Sequence, residues 1–208
     1  MLNIAVLVSG GGTNLQALID AEKNGIIKSG KISLVISSKD GVFALERAKK
    51  ADIPFKVLSR KEYSDNESYS DELLKILEEN NIGLVVLAGF MTVLKGRILT
   101  NYKNKIINVH PSLIPSFCGD GFYGLKVHEK ALEYGVKVTG ATVHFVNDVT
   151  DGGAIILQKA VEVQNEDTAE TLQKKVMEQA EWRILPLAAE LFCAGKIEIE
   201  GNKTIIGE

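Results

Sequence analysis

The chain has 208 residues, 45% of them hydrophobic and 25% charged, with a formal net charge of −3; these are ordinary proportions for a soluble globular chain with one sizeable core. Charges of both signs are interleaved without a basic block, so no nucleic-acid groove is indicated, and an anionic ligand needs a local positive site. The two cysteines, Cys118 and Cys193, stand far apart and outside any paired motif, which argues against a cysteine-held metal and suits a reducing, cytoplasmic setting.

Residues 3–8, Asn-Ile-Ala-Val-Leu-Val, form an apolar run that predicts a buried strand. The run is too short to span a bilayer and carries neither a basic leader nor a small-residue cleavage site. It ends at Ser9-Gly10-Gly11-Gly12-Thr13-Asn14, after which Leu15, Ala17, Leu18 and Ala21 keep helical spacing. Strand, glycine loop and helix make the first half of a βαβ unit. Three glycines expose backbone N–H groups at the positive end of a helix, which suits a phosphate. A tight packing turn fits the same residues. The loop is neither the dinucleotide fingerprint nor a P-loop, because the glycine three after Gly12 and the Gly-Lys-Ser/Thr ending are both missing.

The alternation continues with a strand over 32–37, a helix over 42–51, a short strand over 54–58 and a helix over 67–80. Leu84-Val85-Val86-Leu87-Ala88 predicts a strand buried on both faces of a parallel sheet. A short helix over 98–102 leads to a strand over 106–110. After residue 125 the pattern shifts to a helix over 126–134, strands over 137–146 and 154–163, and a long amphipathic helix over 169–194 with its expected bend near Pro186. A terminal hairpin turns at Gly201-Asn202. No repeat, low-complexity tract or linker interrupts the chain, so one domain over 1–208 is expected. Its class is α/β, an open and mostly parallel sheet flanked by helices. Ligands in such sheets bind beyond the carboxyl ends of strands, where Ser9–Asn14, Gly89–Leu94 and Asn108–Ser112 all fall.

The polar residues able to do chemistry gather between Asn108 and Gly153. Asn108 and His110 are two apart, so on a strand they face the same way. A carboxamide donor beside an imidazole can stabilise and protonate an oxygen, and Asp151 can set the charge of that imidazole. The same pair also suits a strand cap. Of the other candidates, His144 reads as support for the site or as a satisfied structural histidine, and His128 as structural. Ser112 lacks a nucleophile-elbow context and reads as a turn former. Asp148 reads as a loop bond or a solvated side chain. Phe90, Met91 and Val143 fit either a ligand pocket or plain core.

Ser9-Gly10-Gly11-Gly12-Thr13-Asn14, Leu87-Ala88-Gly89-Phe90-Met91, Asn108-Val109-His110-Pro111-Ser112-Leu113-Ile114-Pro115, His144-Phe145-Val146 and Asp151-Gly152-Gly153 occur in that order. In this the chain resembles the formyltransferases that use 10-formyltetrahydrofolate, from residue 3 to roughly residue 195. The glycine loop and the chain length point to the purine-synthesis branch. The resemblance implies a Rossmann-like formyltransferase fold, with a nucleotide half over about 1–105 and a catalytic, folate-binding half over about 106–208. It implies formyl transfer to the primary amine of glycinamide ribonucleotide, with formyl folate as co-substrate and no metal. Asn108, His110 and Asp151 match the family's catalytic trio. Gly12, Thr13 and Asn14 match its phosphate loop, and Glu181 a carboxylate on the substrate's ribose. Met91, Thr92, Val93 and Leu94, with Asn108, Asn147, Asp148 and Asp151, match the folate-pocket segments.

Positions 66 and 92, where the family commonly has arginines that help hold the folate, are Asn66 and Thr92 here. The loop Cys118-Gly119-Asp120-Gly121-Phe122-Tyr123-Gly124 is longer than the family's usual connection. Two relatives within the superfamily and one reading from outside enzymology compete. A folate hydrolase would carry a domain before the first strand, a transfer-RNA formyltransferase one after the long helix, and a non-catalytic binding module would not need the trio. The expected partners are the two small molecules, with no nucleic acid or membrane, acting on a monomer or a homodimer.

Overall fold

A computed structural model describes residues 1–207; residue 208, the last of the expected domain span, lies outside them. Strands β1 (Leu2–Val8), β2 (Gly30–Ser37), β3 (Phe55–Val57), β4 (Leu84–Leu87), β5 (Ile106–His110), β6 (Val138–Phe145) and β7 (Ile155–Glu162) form one sheet in the order β3-β2-β1-β4-β5-β6-β7. β1 to β5 are parallel to their neighbours, whereas β5–β6 and β6–β7 pair antiparallel. The expected open, mostly parallel sheet is therefore present, and the pattern shift after residue 125 is its change to antiparallel pairing.

Helices on both faces explain the apolar strands. On one face α1 (Thr13–Lys23), α2 (Phe43–Lys50), α6 (Ala169–Val176) and α7 (Trp182–Cys193) bury Leu15, Leu18, Ala44, Ala48, Leu172, Val176, Leu185 and Ala188 against Ile4, Val6 and Val8. On the other, α3 (Asn66–Glu79) and α4 (Arg97–Asn101) bury Tyr69, Leu73, Leu77 and Ile98 against Ala5 and Leu7. The alternation along β1 divides the two cores. All four residues of β4 are buried because both faces are covered. Each fully buried Leu on α3 contributes on the order of 1.5–3 kcal/mol. That helix starts where the Asp65 side chain accepts from the Ser68 N–H.

The remaining elements are α5 (Leu125–Tyr134) and a separate hairpin of β8 (Ile197–Glu200) and β9 (Lys203–Ile206). Most bounds fall within one or two residues of the expected ones. The helix expected to run through 169–194 with a bend at Pro186 differs. It is interrupted one turn earlier, by a π turn over Met177–Glu181, and Pro186 lies inside regular α7. Pro186 has no N–H for the Trp182 carbonyl four residues back, yet α7 continues through it. No helix among the described residues is long and apolar enough to cross a membrane.

Strand order reverses between β1 and β4, which opens a crevice at their carboxyl ends. The Met91 N–H, just past β4, donates to Ser9 Oγ at 2.9 Å, and Ser9 Oγ lies 2.7 Å from Ser38 Oγ. Those buried hydroxyls tie together the turns after β1, β2 and β4.

Candidate active site

β5 and β6 pair so that Asn108 faces His144 and His110 faces Thr142. Asn108 Nδ2 donates to His144 Nε2 at 3.2 Å, while His144 Nδ1 donates to the Phe145 carbonyl at 2.8 Å. That tautomer follows from the carbonyl, which can only accept. A β-bulge in the β6–β7 ladder falls between Val143 and His144, the usual place for one that re-aims a functional side chain. His144, read from the sequence as support or structure, therefore sits at the centre of the cluster.

Asp151 stands between the two imidazoles. Its Oδ2 is 3.5 Å from His110 Nδ1 and its Oδ1 is 3.5 Å from His144 Nε2. Oδ2 also accepts from the Gly119 N–H at 2.9 Å. The residue adopts φ 54°, a left-handed backbone seldom used outside glycine. Burial pushes the Asp151 carboxyl up, but His144, His110 and the Gly119 N–H together hold it below the ordinary value. It is an anion at neutral pH.

His110 Nε2 donates to the Phe117 carbonyl at 2.9 Å. Burial pulls its pKa below the ordinary imidazole value of 6.5, an effect that Asp151 and the Phe117 carbonyl offset only in part. Desolvation thus outweighs the carboxylate at 3.5 Å. The ring is neutral at neutral pH, with an anion in place to stabilise a proton when one arrives.

Two cavities meet at these residues. One, of about 450 Å³, is lined by Met91, Thr92, Val93 and Leu94 on one side and by Asn108, His144, Asn147, Asp148 and Asp151 on the other. The second, of about 540 Å³, lies toward His110, Pro111 and the Gly119–Gly124 loop, and shares Asn108 and Asp151 with the first. Both volumes suit a small molecule. Phe90 and Met91 line both cavities, whereas Val143 is fully buried in the core.

At the glycine loop, Gly12 takes φ 71° and ends β1's turn into α1; a Cβ there would lie 2.7 Å from the Ala44 methyl. Gly10 and Gly11 face open space. Arg47 Nε donates to the Gly11 carbonyl at 2.9 Å, which turns that oxygen away and leaves the N–H groups at the helix end for an anion. Thr13 Oγ1 contacts the Met177 sulfur at 3.7 Å. Asn14 Nδ2 donates to Glu181 Oε2 at 2.6 Å, so these two expected substrate residues form one buried pair. The π turn ends at Glu181 and helps set it facing inward. Burial pushes the Glu181 carboxyl up to about 7, with the Asn14 amide offsetting part.

Ser112 Oγ donates to the Ser116 carbonyl at 2.6 Å, as a turn former does. His128 is fully buried, and burial pushes it down to about 4. The backbone groups of Phe117 and Gly119 escaped the sequence reading. They are unreadable there because any residue supplies a carbonyl or an N–H, and only the folded loop brings them to His110 and Asp151.

A family model described as Formyl transferase matches residues 2–189. Phosphoribosylglycinamide formyltransferase from Haemophilus influenzae is 42% identical over 202 residues, which cover 97% of this chain and 92% of that protein. Trifunctional purine biosynthetic protein adenosine-3 from Homo sapiens is 44% identical over 202 residues, and there the chain spans only 19% of the relative's length. The crystal structure of glycinamide ribonucleotide transformylase 1 from Symbiobacterium toebii matches with a TM-score of 0.94 and 41% identity, over 100% of this chain and 95% of that one.

Proposed function

The chain belongs to the formyl transferase family, and from that premise we propose that it moves the formyl group of 10-formyltetrahydrofolate to the primary amine of glycinamide ribonucleotide, a step of purine synthesis. The products are formylglycinamide ribonucleotide and tetrahydrofolate. One observation carries the reading: Asn108, His110, His144 and Asp151 are joined at the wall that two ligand-sized cavities share. A donor molecule in the first cavity and the amine of an acceptor held at the glycine loop meet at that wall.

The amine's lone pair attacks the formyl carbon, and the carbonyl oxygen becomes an oxyanion. One Asn108 amide proton goes to His144, which leaves the second for that oxyanion. Such a preorganised donor is worth about 3–4 kcal/mol. Neutral His110 takes the proton the amine loses, and Asp151 stabilises the imidazolium. The proton then passes to the leaving folate nitrogen as its carbon–nitrogen bond breaks, so no net proton is gained. Asn108, His110 and Asp151 are the catalytic residues in this account, with His144 orienting Asn108.

The acceptor's phosphate rests on Gly12, Thr13 and Asn14, and its ribose on Glu181. The folate lies against Met91–Leu94 and Asn147–Asp151. Residues from about 1 to 105 supply the phosphate half of a single domain, and those from about 106 onward the catalytic and folate half. Both substrates are soluble small molecules, and the reaction is assigned to the cytoplasm, on a monomer or a homodimer. The test supplies purified protein with 10-formyltetrahydrofolate, with and without glycinamide ribonucleotide, and follows deformylated folate. Release that requires the amine is expected. Release to water alone would replace this reading with a hydrolase, and binding without release with a non-catalytic module.

A further inference from the structure

We propose that Arg47, on α2, is a positioning residue for the acceptor: it fixes the peptide planes of the glycine loop and so sets the preference for an acceptor that carries a phosphate over one that lacks it. The inference rests on the phosphate reading of that loop above.

Two successive peptides of the loop are held from behind by one helix. The Ala44 N–H, a first-turn donor that α2 leaves without an intrahelical partner, donates to the Gly10 carbonyl at 3.2 Å. Nearly one turn on, Arg47 Nε donates to the Gly11 carbonyl at 2.9 Å. Both peptides are trans, and in a trans peptide the C=O and the following N–H point opposite ways. With both carbonyls drawn toward α2, the Gly11 and Gly12 N–H groups turn away from it together. Neither donates to a backbone carbonyl among the described residues. Adjacent free N–H groups of this kind make an anion-binding concavity. A guanidinium on the Gly11 carbonyl also polarises that peptide, which makes the Gly12 N–H a stronger donor.

Arg47 is itself held in place. Its Nη1 donates to Gln16 Oε1 at 2.9 Å, and its guanidinium carbon lies 4.9 Å from the centre of the Phe43 ring. Gln16 Nε2 donates in turn to Asp20 Oδ1 at 2.9 Å, so the amide stands between the guanidinium and the one acid of the small cavity that they line. Among the described residues, no carboxylate lies within salt-bridge distance of Arg47. Its charge therefore stays uncompensated beside the loop, which favours an anion there. The packing leaves the loop little freedom, since a Cβ on Gly12 would lie 2.7 Å from the Ala44 methyl and 3.4 Å from Arg47 Cδ. Arg47 thus acts on the acceptor through the Gly11–Gly12 peptide.

The test compares kcat/KM for glycinamide ribonucleotide with kcat/KM for its dephosphorylated riboside, at one saturating concentration of 10-formyltetrahydrofolate. The proteins are the wild type, Arg47→Met, Arg47→Lys and Gln16→Leu. Tetrahydrofolate affinity, by titration calorimetry on the same samples, reports whether each variant is folded. The wild type should prefer the ribonucleotide by about a hundredfold or more, as a site built to bond a polar group rejects the analogue that lacks it. In Arg47→Met that ratio should fall about tenfold, equivalent to about 1.4 kcal/mol. Arg47→Lys keeps the charge and one donor for the Gly11 carbonyl but not the two-pronged hold, and should recover part of the ratio. A wild-type ratio in an Arg47→Met protein that still binds tetrahydrofolate would overturn the proposal. If Arg47→Met loses tetrahydrofolate as well, Gln16→Leu decides: loosening Arg47 there should lower the ratio about threefold, and a wild-type ratio would overturn the proposal. A wild type that does not distinguish ribonucleotide from riboside would overturn the phosphate reading of the loop, and this proposal with it.

Discussion

Asp151 holds a backbone conformation that costs a non-glycine residue on the order of 1 kcal/mol, and its neighbours explain why it stays there. The Gly119 N–H holds its carboxylate, which lies 3.5 Å from each of the two imidazoles. Asp151→Asn keeps the size and tolerates the same backbone, but removes the anion that offsets the burial of His110. Turnover is expected to fall by roughly 10²–10⁴. The acid limb of the pH–rate profile should move to lower pH than in the wild type, because Asp151 offsets part of the burial that lowers His110. A limb at unchanged pH in the Asn variant would remove Asp151 from this role.

Glu181 gives a residue-scale prediction of the opposite sign. Its carboxyl is raised by burial from 4.5 to about 7, so the native state resists an ionisation that the unfolded chain undergoes freely. Stability is full below pH 4.5, falls as pH climbs toward 7, and changes no further above it. Glu181→Gln removes the buried charge and can still accept from Asn14. It should be more stable than the wild type by about 3 kcal/mol at pH 8, and equal to it near pH 4. Chemical denaturation at the two pH values decides this, with an equal gap at both counting against the argument. At this scale the sequence was most informative, since Asn108, His110 and Asp151 carry their chemistry in their side chains. It was least informative for His144, whose place depends on a register and a bulge.

Strands and helices were legible because their cause is local: apolar alternation or 3.6-residue spacing, closed by Gly, Asp or Asn. β5 was read over the same residues that form it. The π turn at Met177–Glu181 was not legible, because those residues keep the same helical spacing as the turns on either side. The β6–β7 hairpin shows what backbone proximity demands. A Cβ on Gly153 would lie 1.8 Å from the Phe145 carbonyl oxygen. Gly153→Ala must push the strands apart beside both His144 and Asp151. It should cost about 3 kcal/mol of stability and lower turnover with it, as read by a denaturant midpoint and an activity assay on the same sample. A variant as stable as the wild type would mean that the hairpin yields more easily than its packing suggests.

At the scale of the whole molecule, the strand order brings the turns after β1, β4 and β5 to one end of the sheet. The Ser9 hydroxyl then links the glycine loop to the Met91 backbone at the edge of the first cavity. A ligand that binds only this assembled arrangement stabilises the fold by mass action. At a hundredfold excess over Kd, one ligand should add about 2.7 kcal/mol, a rise in Tm of roughly 5–10 °C for a chain of this size. Thermal melts with glycinamide ribonucleotide alone, with a folate analogue alone and with both will show it. No shift with either ligand would place binding elsewhere.

By itself the sequence determined which residues are apolar and at what period, hence the elements and the α/β class, and which side chains carry acid, amide and imidazole chemistry. Both are properties of short stretches of chain. The tertiary structure alone decided that His144 joins Asn108, that the Phe117 carbonyl and the Gly119 N–H complete the environment of His110 and Asp151, and that burial lowers the basicity of His110. Those outcomes depend on distances between segments tens of residues apart and on the water that packing removes, and neither quantity exists until the chain has folded.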